Sequence, residues 1–134
     1  MAIRGIRGAT TVKKNDKKSI LAKTKELLIA LQEANNFETQ EIASIFFSMT
    51  RDLNAAFPAA AARQLGWQKV PLFGVQEADI VDTDGLKRCI RILIQINTEK
   101  SQDEINHCYL HEAMKLRKDL TNKKEIKNDC CNGW

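Results

Sequence analysis

The side chains in this 134-residue chain that could do chemistry are few and mostly cationic: Arg7, Arg63, Arg91 and Arg117, with Glu77 and Tyr109 beside them in type. A guanidinium presents a rigid fork of donors that matches a carboxylate or phosphate two bonds at a time. Such a set suits the holding of an anion and the steadying of charge that develops on it. It does not supply a nucleophile with its base, and the chain has no GxSxG elbow, no Walker loop and no GxGxxG fingerprint. His107 and His111 stand four apart next to Glu112, a spacing that on a helix could offer two metal ligands. No third ligand follows at a matching interval, so no metal is expected, and replacement of both histidines is expected to leave activity unchanged.

The elements around these residues decide which of them can meet. Arg88 to Thr98 alternates strictly: Ile90, Ile92, Ile94 and Ile96 share one side, and Cys89, Arg91, Leu93, Gln95 and Asn97 the other. The isoleucines belong in a core, so Arg91 is forced onto the opposite face in mid-strand, where it must reach solvent, a carboxylate or a ligand. Ala2 to Val12 reads as a second strand, with Ile3, Gly5 and Arg7 on one side. Its glycines mark a close approach of another backbone or a ligand. Asp16 caps a helix whose Ile20, Leu21, Thr24, Leu27, Leu28 and Leu31 recur at helical spacing as far as Asn35-Asn36. The run from Glu41 to Thr50 reads as a strand buried on both faces.

Pro58 and Gly66 bracket a short helix, with Phe57 just before it. Lys69 to Gln76 is a further strand ending next to Glu77, and Asp82 to Gly85 is a turn. Ser101 and Glu104 make a capping box. Beyond it, Ile105, Cys108, Tyr109 and Leu116 fit a helix, while Asn106 to Leu110 fits an edge strand; the pattern allows either. The fold class is α+β: one domain with a mixed β-sheet covered by helices.

Composition narrows the function classes. A net charge of +4 spread along the chain favours small anionic ligands and lacks the concentrated basic stripe of a nucleic-acid binder. Aromatics at 6% leave no base-stacking platform. No apolar run reaches the roughly 20 residues that span a bilayer. With no secretory h-region, and with Cys89 and Cys108 placed as reduced core thiols, the expected compartment is the cytoplasm. Adjacent Cys130 and Cys131 start neither a disulfide framework nor a zinc site, and the last residues, polar and charged, are expected to be mobile. On the residues alone the chain is an anion-binding α+β domain.

Four blocks carry more: IRGIRGATTV, DLNAAFPAAAARQLGWQKVPL, GLKRCIRILIQINT and YLHEAMKLRKDL, in this order. Together they resemble the small monofunctional chorismate mutases of the trimeric α/β type over residues 1–120, leaving 121–134 as a tail. The resemblance implies a homotrimeric pseudo-α/β-barrel with pockets at subunit interfaces. It also implies rearrangement of chorismate to prephenate, with no cofactor. By the same resemblance Arg91 meets the ether oxygen that becomes anionic, Glu77 the ring hydroxyl, and Arg7 the side-chain carboxylate, these three being the catalytic groups. Tyr109 is implied to bind a substrate carboxylate. Phe57, Ala59 and Arg63, then Leu72, Phe73, Gly74, Val75 and Gln76, then Leu116 and Arg117, are implied to wall or close the pocket. The sequence departs from the family pattern at Ala60, where a lysine is common, at Phe73 in place of threonine, and at Gly74 in place of cysteine. The Val81 to Gly85 turn is about two residues longer than usual. A non-catalytic anion-binding trimer on the same scaffold is the alternative that these departures keep open.

Overall fold

A computed structural model describes residues 1–80 and 85–116. The described chain runs β1 (Ala2–Thr11), α1 (Lys17–Asn35), β2 (Ile42–Met49), α2 (Ala59–Gln64), β3 (Leu72–Gln76), β4 (Cys89–Thr98) and β5 (Cys108–Tyr109), with 3-10 turns at Thr39–Glu41, Gln102–Glu104 and His111–Lys115. The five strands form one mixed sheet in the order β3-β2-β4-β1-β5. β4 is antiparallel to both β1 and β2, while β3 and β5 join the two edges in parallel.

Local chemistry explains the elements. Asp16 Oδ1 accepts from the Ser19 N–H at 2.7 Å and starts α1. Asn36 ends it in the left-handed region (φ 56°), its N–H donating to the Gln32 carbonyl. All six residues of the predicted stripe are buried. Its four leucines pack, with Ala61 and Ala62 of α2, onto Ile6, Ile45, Phe47 and the Ile92, Ile94 and Ile96 of β4. Ile20 meets Ile90 in a smaller cluster at the end of the same row. Burying an aliphatic side chain of this size stabilises by about 1.5–3 kcal/mol, so the row holds β4 firmly in register. Both helices lie on this one face of the sheet.

The other face carries no α-helix among the described residues, only the 3-10 turn at His111–Lys115, whose Ala113 packs on Ala9, Cys89 and Tyr109, and this overturns one expectation. β2 is not buried on both faces: Phe46 points to the open side and is 37% exposed, packed edge-to-face on Phe73 (centroids 5.9 Å apart). β3 is also shorter than the predicted Lys69–Gln76; its pairing with β2 opens with the Ile45 N–H bonded to the Pro71 carbonyl. The ambiguous segment after the Ser101–Glu104 capping box resolves as a two-residue edge strand followed by a 3-10 turn. The longer turn falls mainly at 81–84 and, like Arg117 and the 121–134 tail with Cys130 and Cys131, lies outside the described residues.

Gly8 is the close approach that the β1 glycines foretell, and it is made within the chain. A Cβ there would sit 2.9 Å from Leu31 Cδ1, 3.1 Å from Leu27 Cδ1 and 3.3 Å from the Cys108 carbonyl oxygen. Both leucines are fully buried and have little room to turn away. Gly8→Ala should therefore destabilise the fold by ~1–3 kcal/mol, as overpacking of a filled core does. Urea denaturation measures this directly, and an unshifted midpoint would mean that α1 lifts freely from β1.

Candidate active site

The register of the strands sets two rows of side chains across the open face. One row runs Val75, Ser48, Arg91, Ala9 and Tyr109, one residue from each of the five strands. The next runs Phe73, Phe46, Leu93 and Arg7. Arg7 and Arg91 are thus diagonal neighbours on paired strands, a relation that puts Cβ atoms about 7–8 Å apart. Ala9 and Ser48 flank Arg91 with short side chains, so the sheet is low there. The result is a hollow whose lining includes Arg7, Phe46, Val75, Arg91, Leu93 and Tyr109.

Glu77 enters from just past the end of β3. Its N–H donates to the Met49 carbonyl at 3.1 Å, which continues the β2–β3 pairing by one residue. Ser48 Oγ donates to Glu77 Oε1 at 2.7 Å, and the same oxygen lies 3.5 Å from Arg91 Nε. The carboxylate is therefore held from two sides and fixes the near edge of the guanidinium. Arg91 Nε is shielded from solvent and makes no hydrogen bond among the described residues. A buried donor left in this state beside an open hollow favours the arrival of an acceptor. Behind Arg91 lies Cys89, whose thiol is raised to about 11 by burial, with the Arg91 charge pulling it back in part. It is a neutral thiol at ordinary pH and does not compete with an anionic ligand for Arg91.

Two residues outside the predicted site act as its supports. Ser48 orients Glu77. A signal for it is present in the sequence, since Ser44, Phe46 and Ser48 alternate with the buried Ile45 and Phe47. His107 is buried, and its Nδ1 accepts the Arg7 backbone N–H at 2.9 Å. His111 Nε2 instead meets Glu26 Oε1 at 2.8 Å. The two histidines serve different partners, and among the described residues no group of three or more His, Cys, Asp or Glu side chains could hold a metal ion.

The predicted residues divide into two patches. Arg7, Val75, Arg91 and Tyr109 share the hollow; Glu77 abuts it through Arg91; Phe73 lies on the same face, and Leu116 packs into the small cluster of Ala9, Cys89 and Tyr109. Phe57, 78% exposed, lines a separate hollow with Pro58, Gly74 and Gln76 on the helix side of β2 and β3. Ala59 and Leu72 pack against the main core, and Arg63 stands exposed on α2. A single chain does not bring Phe57, Ala59 and Arg63 to the hollow around Arg91.

Comparison with known proteins bears on what such a hollow does. Residues 3–120 match the family model described as chorismate mutase type I. The chain is similar to chorismate mutase AroH of Bacillus subtilis (strain 168), 47% identical over 122 residues, which cover 90% of this chain and 94% of that protein. It is also similar to chorismate mutase AroH of Thermus thermophilus, 44% identical over 119 residues, covering 88% and 96%. Among solved structures, the chorismate mutase from Clostridium thermocellum superposes with a TM-score of 0.80 at 44% identity, covering 84% of this chain and 98% of that one.

The site's supports carry a pH dependence of stability. Burial, and secondarily the Arg7 charge, lowers His107 from its ordinary 6.5 to about 4. Between those values the unfolded chain takes up a proton that the folded chain refuses. The stability due to the neutral ring is therefore complete above about 6.5, declines as pH falls, and is gone below about 4. The urea midpoint of the wild type should drop across that interval, and less steeply in His107→Asn. Equal slopes would show that His107 ionises as freely folded as unfolded.

Proposed function

The chain belongs to the type I chorismate mutase family and is an isomerase of aromatic biosynthesis that converts chorismate to prephenate; we propose that it does so with Arg91, Glu77 and Arg7 as catalytic groups and Tyr109 as a substrate-binding group, using no cofactor. The reaction breaks a C–O bond and forms a C–C bond within one molecule. It needs no proton transfer, so its catalyst must restrain a flexible side chain over a ring and stabilise charge as the ether bond lengthens. Negative charge grows on the ether oxygen, where Arg91 donates. Positive character grows on the ring, which the Glu77 carboxylate faces while accepting from the ring hydroxyl. Arg7 and Tyr109 take carboxylate oxygens of the substrate. Because Arg91 meets more charge in the transition state than in the substrate, its binding energy lowers the barrier. The observation that carries this reading is the arrangement of Arg91 itself, braced by Glu77 and sharing one hollow with Arg7 and Tyr109.

The rest of the pocket is assigned to a second copy. In this reading three chains close a pseudo-α/β-barrel, and Phe57, Ala59 and Arg63 of one copy reach the hollow of the next. β3, with Leu72, Phe73, Gly74, Val75 and Gln76, forms one wall. Leu116 closes the mouth near the end of a 1–120 domain, and Arg117, assigned to the same pocket by the resemblance, lies outside the described residues. Support comes from the open face, where Ile3, Phe46, Phe73 and Val75 are exposed and Phe73 alone is 60% accessible. A lone chain would leave this apolar surface in water. We place the enzyme in the cytoplasm, in keeping with thiols rather than disulfides at Cys89 and Cys108; among the described residues no helix is long and apolar enough to cross a membrane.

Arg91→Ala should reduce turnover by at least the ~3–4 kcal/mol that a preorganised donor supplies, roughly two to three powers of ten, with the oligomer intact. Loss of chorismate absorbance follows the rate, and near-normal turnover would remove Arg91 from the chemistry. Sharing of sites between chains has its own test. Arg63→Ala and Arg91→Ala should each be deficient, yet a co-refolded equimolar mixture should recover about a quarter of the wild-type rate, the share of interfaces that draw the intact residue from each side. A mixture no more active than its components would place each pocket within one chain.

A further inference from the structure

The outer edge of β1 is bonded less by a strand than by side chains. β5 pairs with it only at Gly8–Cys108 and Ala9–Tyr109, closed by the Leu110 N–H donating to the Ala9 carbonyl at 2.9 Å. Two residues of parallel pairing hold a register weakly. Further along the same edge the backbone of Gly5 is met by a side-chain amide: its N–H donates to Gln102 Oε1 at 3.1 Å, and its carbonyl accepts from Gln102 Nε2 at 2.7 Å. Between these lies the Arg7 N–H, which donates to His107 Nδ1. The imidazole therefore occupies the ladder position that a longer β5 would have filled with a carbonyl.

His107 is itself well anchored. Asn106, next to it, donates its N–H to Asn35 Oδ1 at 2.8 Å and its Nδ2 to the Ala34 carbonyl at 2.9 Å, while Asn35 Nδ2 donates to the Asn106 carbonyl at 2.8 Å. Ile105 and Cys108 on either side are fully buried. The ring is thus fastened to the end of α1 and to the core before it touches β1. Because Nδ1 accepts, the ring proton resides on Nε2, and the lowering of the ring's basicity by burial keeps it in that form at ordinary pH.

We propose that His107 is a positioning residue: by accepting the Arg7 N–H it fixes β1 against β5 and so sets the separation of Arg7 and Tyr109, the two groups that grip the substrate's carboxylates. The inference rests on the assignment of Arg7 and Tyr109 to substrate binding made above, and it departs from the expectation that His107 can be replaced without effect. Its signature is in binding more than in chemistry. Arg7 and Tyr109 hold carboxylates that are present before and during the reaction, so loosening them weakens ground state and transition state alike.

The test compares His107→Leu, of similar volume without an acceptor, with His107→Asn, whose Oδ1 can stand where Nδ1 does. Hydrogen exchange of the Arg7 amide should quicken about tenfold in the leucine variant, and KM for chorismate should rise about tenfold, with a smaller change in kcat, as the loss of one buried hydrogen bond would give. His107→Asn should recover most of both losses. If His107→Leu does not fold, His107→Gln, which puts its acceptor at the Nε2 position, takes its place with the same expected losses. A wild-type KM in the variant lacking the acceptor, or equal KM losses in the asparagine and leucine variants, would overturn the proposal. Arg7→Ala separates the two levels. An unchanged KM there overturns the site assignment on which the proposal stands. A raised KM there, beside an unaltered His107→Leu, overturns the role of His107 alone.

Discussion

A strand has two faces, and in β4 one of them is filled by four isoleucines. Ile90, Ile92, Ile94 and Ile96 are all nearly or fully buried beneath the helices. Shifting the strand by one residue would expose all four, a loss of several kcal/mol. That penalty fixes the register of the central strand, and with it the place of Arg91. Every other part of the candidate site is located relative to this side chain: Ala9 and Ser48 are opposite it, Arg7 is diagonal, and Glu77 lies against its Nε edge.

The same division of faces separates the packed core from the candidate site. The helix side carries the packing, as the close seat of Gly8 under Leu27 and Leu31 illustrates. The open side carries Arg91 between the short Ala9 and Ser48, and Arg7 beside Leu93, together with the exposed Phe46, Phe73 and Val75. In the proposed mechanism nothing there has to move a proton, because the rearrangement asks for restraint and for a fixed field. A sheet face, with its side chains set by pairing on both sides, holds a fixed field better than a loop would. Glu77 has a dual place in this scheme. Its carboxylate offsets the Arg91 charge, and its second anchor on Ser48 holds the same oxygen from the other side.

What was legible in the sequence followed from local periodicity. The stripe of α1 and its Asp16 cap, the alternation of β4 and the forced position of Arg91 needed only neighbours in sequence. The open face of β2 is not legible in the sequence because Ile45, Phe46 and Phe47 are all apolar, and composition does not say whether an apolar residue has a partner within its own chain. β5 stayed ambiguous because only two residues pair, too few to impose a period of two. The Ser48–Glu77 and His107–Arg7 bonds join residues 29 and 100 positions apart; no spacing rule reaches so far. Assignment of roles within the site came from resemblance to a family, and the two patches into which those residues fall could be seen only in three dimensions.

The two borders of the sheet differ in a way that bears on self-association. Along β1, Gln102, His107 and the short β5 occupy the outward backbone groups from Gly5 to Ala9, so the strand on this border is the two-residue β5, which offers a foreign strand little ladder. At the far border β3 is exposed for four of its five residues and, among the described strands, has a neighbour on one side only. Continuous strand-by-strand polymerisation requires two receptive borders per molecule. With one of them reduced to two residues, an accidental β3-to-β3 pairing leaves little strand from which to propagate.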